Sequence, residues 1–197
     1  RGLAHRTPFC EPLESRLLLA TAPLGDQFVV AETLGCTATP AAIAVHSDGS
    51  FMTAWESFEQ DGSGFGVFAR RFNADGTEID ANPFLVNTTT AREQSAPAIA
   101  ADAAGNVLIV WQSKGQDAGD TFGIYGQWYD SNGGKLGGEF RINTATAGDQ
   151  KAPSVAIDGS GNAMRVGGEA DAAAPNRAVA GGSPPPSANL PSNSAVA

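Results

Sequence analysis

The side chains in this sequence that could do chemistry are Asp, Asn and Glu set close to glycine. The run Asn73-Ala74-Asp75-Gly76-Thr77-Glu78-Ile79-Asp80 gathers Asn73, Asp75 and Asp80, and Asp130-Ser131-Asn132-Gly133-Gly134 gathers Asp130 and Asn132 in a matching turn. Alternating oxygen donors of this kind can surround a hard cation, so these five residues are the calcium candidates and calcium is the only cofactor in view. Neither turn has the full D-x-[DN]-x-[DN]-G spacing with a downstream Glu. Asp-Gly and Asn-Gly also serve hairpin turns, where positive φ favours those residues.

Hydrolysis is the second chemistry to weigh. A glycosidase needs two carboxylates about 5–10 Å apart. Glu56 follows Trp55, but the residue after Trp111 is Gln112; Glu59, Glu78 and Glu93 also lack a recurring partner. The arginine cluster of a sialidase site is missing as well, so the expectation is no catalytic residue and no enzyme. Trp128, on an alternating stretch, is the candidate ring for stacking on a sugar. Trp55 and Trp111 end apolar runs and read as packing residues. With 2 Cys and 2 His, a Cys/His zinc cluster has too few ligands. A net charge of −9 repels a phosphate backbone, which excludes nucleic acid as a partner. No apolar run approaches the ~20 residues of a membrane span.

The elements that must position these residues come from an internal repeat. Trp55 and Trp111, Gly49 and Gly105, Asp61 and Asp117, Phe84 and Phe140, and Asn87 and Asn143 are all 56 residues apart. Phe65-Gly66-Val67-Phe68 recurs as Phe122-Gly123-Ile124-Tyr125 at a spacing of 57, one loop residue longer. Gln94 and Ala96-Pro97 recur as Gln150 and Ala152-Pro153, opening a third copy that runs out near Met164. Each full copy reads as four short strands rich in Val, Ile and aromatics and punctuated by Gly, Asn and Asp. The fold expected is all-β, with antiparallel four-stranded, propeller-blade-like units in an incomplete array; a two-sheet β-sandwich is the alternative. Fourteen of the 15 aromatic residues lie between Phe28 and Phe140, which places the core there. The expected organisation is a disordered leader over 1–25, two and a half β repeats over 26–164 (about 28–93, 94–149 and a truncated 150–164), and a disordered Ala/Gly/Pro/Ser-rich tail over 165–197. Cys10 falls in the leader, so Cys10 and Cys36 read as unpaired.

The stretches Gln94 to Asp102, Gly105 to Ser113, Phe122 to Asp130 and Phe140 to Thr144 resemble the tandem repeats of large secreted bacterial surface proteins. Leu13-Glu14-Ser15-Arg16-Leu17-Leu18-Leu19 is similar to the LEPR-XLL segment near the start of exported planctomycete proteins, with Ser15 at the proline position. The resemblance implies an extracellular or cell-surface location and brings no catalytic residues. The expected function is a non-catalytic β-repeat protein with a structural, adhesive or ligand-binding role, a fragment of a larger array. Its partners would be other β repeats of the same or another chain and a surface glycan or protein. Two alternatives stand beside it: a degenerate hydrolase-type propeller of the glycosidase or sialidase kind, and a truncated or frameshifted product.

Overall fold

The computed structural model describes residues 41–117, 119–158 and 162–165. The expected leader, the tail beyond Arg165 and both cysteines lie outside the described residues, while Arg165, the first residue of the expected tail, ends a strand. Within them the chain is all-β and antiparallel. The first copy is a four-stranded sheet in the order β1 (Ala42–Val45), β2 (Phe51–Phe58), β3 (Phe65–Phe72) and β4 (Phe84–Leu85). The second copy repeats that order with β5 (Gln94–Ala101), β6 (Val107–Lys114), β7 (Phe122–Tyr129) and β8 (Lys135–Arg141). A two-stranded sheet, β9 (Val155–Ile157) and β10 (Ala163–Arg165), begins the third copy. These are blade-like units, as the repeat implies.

The continuous apolar run Val107-Leu108-Ile109-Val110-Trp111 is what a strand covered on both faces requires. Alternate residues of β6 point to opposite neighbours. Val107, Ile109 and Trp111 meet Met52 and Ala54 of β2 and Val67 and Ala69 of β3 in a first core between the two full copies. Leu108 and Val110 meet Ile124, Trp128, Ile142 and Ala163 in a second core against the third copy. The second copy therefore rests one face on the first copy and the other on the third, and among the described residues the core is divided between these two seams.

The residues that recur every 56 positions hold each unit together. Asn87 Oδ1 accepts the Val67 N–H at 2.8 Å, while its Nδ2 donates to the Thr89 carbonyl at 3.0 Å and towards Asp61 Oδ2 and Gln94 Oε1, both at 3.4 Å. Asn143 repeats the arrangement, with Oδ1 accepting the Ile124 N–H at 2.7 Å and Nδ2 donating to the Ala145 carbonyl at 2.6 Å and Asp117 Oδ2 at 2.7 Å. Buried polar side chains persist only when so satisfied, which explains why these positions tolerate little change between copies. Gly66 and Gly123 are glycine because a Cβ at either would overlap the carboxylate of Asp61 or Asp117. A second repeated device latches copy to copy. Glu56 Oε2 accepts the Ala96 N–H at 2.6 Å, and Gln112 Oε1 accepts the Ala152 N–H at 3.1 Å. Ala96 and Ala152 share a left-handed backbone, with φ of 51° and 53°, that turns each N–H towards the preceding copy.

Candidate functional site

The face of β2 that meets the second copy changes character along its length. Met52 and Ala54 are sealed in the core, Glu56 makes the latch, and Phe58 emerges at the end, 39% exposed. Phe58 pairs across the strands with Phe65, and their rings meet edge to face with centroids 5.1 Å apart. There the seam opens into a cleft of about 510 Å³. Three segments line it: Phe58 to Phe65 around the β2–β3 loop, Arg92 and Glu93 in the connection between copies, and Lys114 and Asp120 at the β6–β7 loop. A concave site with aromatic walls and a few convergent polar groups is the usual form of a ligand site.

The loops are held in place by backbone contacts. Lys114 N–H donates to the Glu93 carbonyl at 2.8 Å, and Arg92 N–H donates to Ser63 Oγ at 3.1 Å. Gly64 lies so close under Arg92 that a Cβ there would stand 2.6 Å from the Arg92 carbonyl oxygen. Two residues here take the left-handed backbone without being glycine, Glu59 at φ 59° and Arg92 at φ 72°. Such positions cost free energy and persist where surrounding structure fixes them. The Arg92 guanidinium is ion-paired with Asp120. Glu93 is half-buried, and its carboxylate has no hydrogen-bond or ion-pair partner among the described residues.

The calcium candidates lie elsewhere and are occupied in turn making. Asp75 Oδ1 accepts the N–H and hydroxyl of Thr77 at 2.9 and 2.6 Å, bonds that hold its pKa below the ordinary aspartate value. Asn73 Nδ2 donates to Thr77 Oγ1 at 2.9 Å. Asp130 Oδ1 accepts the N–H groups of Asn132 and Gly134, each at 2.8 Å. Asp80 faces Arg71, which bonds it at 2.6 Å; burial alone would raise its pKa, but the Arg71 bonds and charge outweigh that and lower it. Arg71 also donates to the Asn132 carbonyl, tying the two turns across the first seam. Among the described residues no group of three or more His, Cys, Asp or Glu side chains is placed to hold a metal ion. Trp128 is not the exposed ring expected of it. It is 3% exposed and packed in the second core, because the strands of the third copy cover a face that alternation alone makes look solvated.

Sequence reasoning missed the cleft. Phe58 and Arg92 carried no motif, and Asp120 sits in the loop where the copies differ in length. Glu93 was set aside as lacking a recurring partner, yet Asp149 stands 56 residues later, and the exchange of Glu for Asp hid the match.

No family model matches the chain, and no curated protein matches it. Among solved structures it is similar to an endo-arabinase from Bacteroides thetaiotaomicron, at 15% identity over 73% of this chain and 55% of that one, with a TM-score of 0.48. It is also similar to a thermostable family-43 glycoside hydrolase, at 13% identity over 74% and 50% of the two chains (TM-score 0.44). A third is an α-L-arabinofuranosidase from Lactobacillus brevis, at 12% identity over 72% and 50% (TM-score 0.46). The chain spans about half the length of these structures. All three are enzymes by name. The expectations of a non-catalytic structural or adhesive chain and of no enzyme are corrected to this extent: the solved structures similar to this chain are enzymes, and their likeness by itself brings no activity to it. The likeness is one of fold, so the choice of residues rests on the cleft.

Proposed function

We propose that the chain is part of a hydrolase-type β-propeller and that the cleft at the first seam receives a carbohydrate. The observation that carries this reading is the convergence of two carboxylates, Glu93 and Asp120, from separate segments on one cleft walled by an aromatic pair. The exposed face of Phe58 suits the apolar face of a sugar ring, and Arg92 and Lys114 suit its hydroxyl groups. Glycoside hydrolysis needs one carboxyl group to protonate the departing oxygen and one carboxylate to activate water or attack the anomeric carbon. Glu93, without a partner among the described residues, is assigned the proton donor. Asp120, held by Arg92, is assigned the second carboxylate. The glycosidic C–O bond breaks, the proton goes to the leaving oxygen, and water supplies the new hydroxyl.

Release of reducing ends from arabinan and from a panel of chromogenic glycosides tests this directly. The wild-type chain should hydrolyse at least one of them, and Glu93→Gln and Asp120→Asn should each lower the rate by about 100-fold or more. Rates unchanged in both variants, or no hydrolysis of any panel member by the wild-type chain, would remove the proposal.

A further inference from the structure

Glu139 of β8 makes contacts that the repeat does not supply. The position 56 residues earlier holds Pro83, so the carboxylate has no counterpart in the first copy. Glu139 Oε2 accepts the Thr88 N–H at 2.7 Å and the Thr88 hydroxyl at 2.8 Å, and its Oε1 accepts from Gln116 Nε2. Gln116 Oε1 in turn accepts the Ser113 hydroxyl at 2.8 Å. Thr88 lies in the connection between the two full copies, which carries Glu93, and Gln116 lies in the β6–β7 loop, which carries Asp120. One carboxylate therefore joins, by charge-assisted bonds, the two segments from which the carboxylates of the cleft project. Glu139 itself does not line the cleft. The rest of the connection is held as in the other seam: Asn87 and Gln94 donate to the Thr89 and Ala91 carbonyls, and Asn143 and Gln150 donate to those of Ala145 and Ala147. What the first seam adds to this shared pattern is the Glu139 clamp.

We infer that Glu139 is a positioning residue for the two proposed catalytic carboxylates: it fixes the separation of Glu93 and Asp120 without touching the substrate. The inference rests on the hydrolytic reading of the cleft. The segments need such a clamp. Arg92, next to Glu93, takes the left-handed backbone at φ 72°, which persists only where the surroundings hold it. The ion pair that joins Arg92 directly to Asp120 is more than half exposed at both ends, and an exposed pair constrains little. Glycoside hydrolysis depends on the distance between its two carboxyl groups, and a small misplacement of a reacting group costs rate out of proportion to the shift.

Two measurements on the full chain test the inference: steady-state kinetics on the panel glycoside that the wild-type chain hydrolyses fastest, and amide hydrogen exchange. At a temperature where circular dichroism shows the variant fully folded, Glu139→Ala should lower kcat about tenfold or more while KM stays within about twofold. Exchange should rise in the peptides that contain Glu93 and Asp120. Glu139→Gln, which keeps an acceptor for Thr88, should recover most of the lost kcat. Lys135→Ala removes a different contact of β8 across the same seam, the 3.2 Å bond to the Val86 carbonyl, and should leave kcat unchanged. A wild-type kcat in Glu139→Ala overturns the inference. A Lys135→Ala variant that loses as much kcat also overturns it, because Glu139 would then act only by closing the seam. Unchanged exchange in both peptides overturns it whether or not the chain hydrolyses anything. Raised exchange in a chain that hydrolyses no panel member would support the clamp and remove the hydrolytic reading alone.

Discussion

At the rim of the first seam Phe58 and Phe65 meet edge to face, and at the rim of the second Lys114 and Phe122 hold the same paired positions. Below the rims the seams match. Each has its Asp–Asn pair, its latch from the end of the second strand to a left-handed alanine, and an apolar core. The difference lies where packing stops dictating the residue. In the first seam the aromatic pair leaves a cleft open. In the second, Lys114 and Lys151 lie 5.8 and 4.6 Å from the Phe122 ring centre and Lys151 bonds Asp149 at 2.7 Å, so cations stand where the first rim leaves rings bare. Shared positions are thus structural, and the divergent ones lie at the rims, where the proposed ligand cleft parts from its counterpart.

The comparison is sharpened most strongly at Trp111. This side chain is fully buried between the two complete copies, so Trp111→Ala should cost about 3–5 kcal/mol in urea unfolding by leaving a cavity in the first seam. Its indole N–H has no hydrogen-bond partner among the described residues, so Trp111→Phe should cost markedly less by removing an unsatisfied donor along with the lost volume. If Trp111→Ala shifts the midpoint no more than a surface substitution does, the first seam is not the centre of stability.

A smaller effect separates the two Asp–Asn clusters. Tyr125 donates its hydroxyl to Asp117 Oδ1 at 2.5 Å, whereas the first copy has Phe68 at that place. The Asp117 side chain is 1% exposed, so Tyr125→Phe withdraws a donor from a buried carboxylate and should cost about 1–3 kcal/mol. Burial, then the bond and charge of Asp117, raise the Tyr125 pKa above its ordinary value of 10.0. The unfolded chain therefore releases this proton at lower pH than the folded chain does. Stability should be fully present below about pH 10 and fall as the pH climbs towards the folded value, and Tyr125→Phe should flatten that alkaline slope. Tyr129, whose pKa is raised mainly by burial, keeps part of the slope in the variant. An identical slope in both proteins would detach Tyr125 from Asp117.

How far the sequence revealed all this follows from the same division. The 56-residue recurrence located the strands, the turns and the buried Asn and Asp positions, because each serves a backbone need that is the same in every copy. Trp128 misled because period-two alternation reports which face a residue takes but not whether another copy covers that face. The cleft escaped notice because its residues are loop neighbours only in space. Glu93 and Asp120 are brought together by the stacking of one copy on another, which no local pattern encodes, and the extra residue in the β6–β7 loop broke the alignment that might have flagged Asp120.

The smallest predicted effect lies at the second rim. Lys151 bonds a half-exposed Asp149 and lies over Phe122, and at such exposure an ion pair contributes about 0–1 kcal/mol and a cation–π contact about 0.5–1 kcal/mol. Lys151→Ala should therefore destabilise the chain by about 0.5 kcal/mol, less at high salt because the ion-pair part is screened. If Lys151 is what covers the Phe122 ring at the second rim, Lys151→Ala, which leaves the lining of the first cleft unchanged, should bind a carbohydrate that the wild-type chain takes at the first cleft with two equivalents in place of one, read by calorimetry. A stoichiometry unchanged by the substitution would mean that a bared ring alone does not make a rim a site, and that Arg92, Glu93 and Asp120 supply what distinguishes the first.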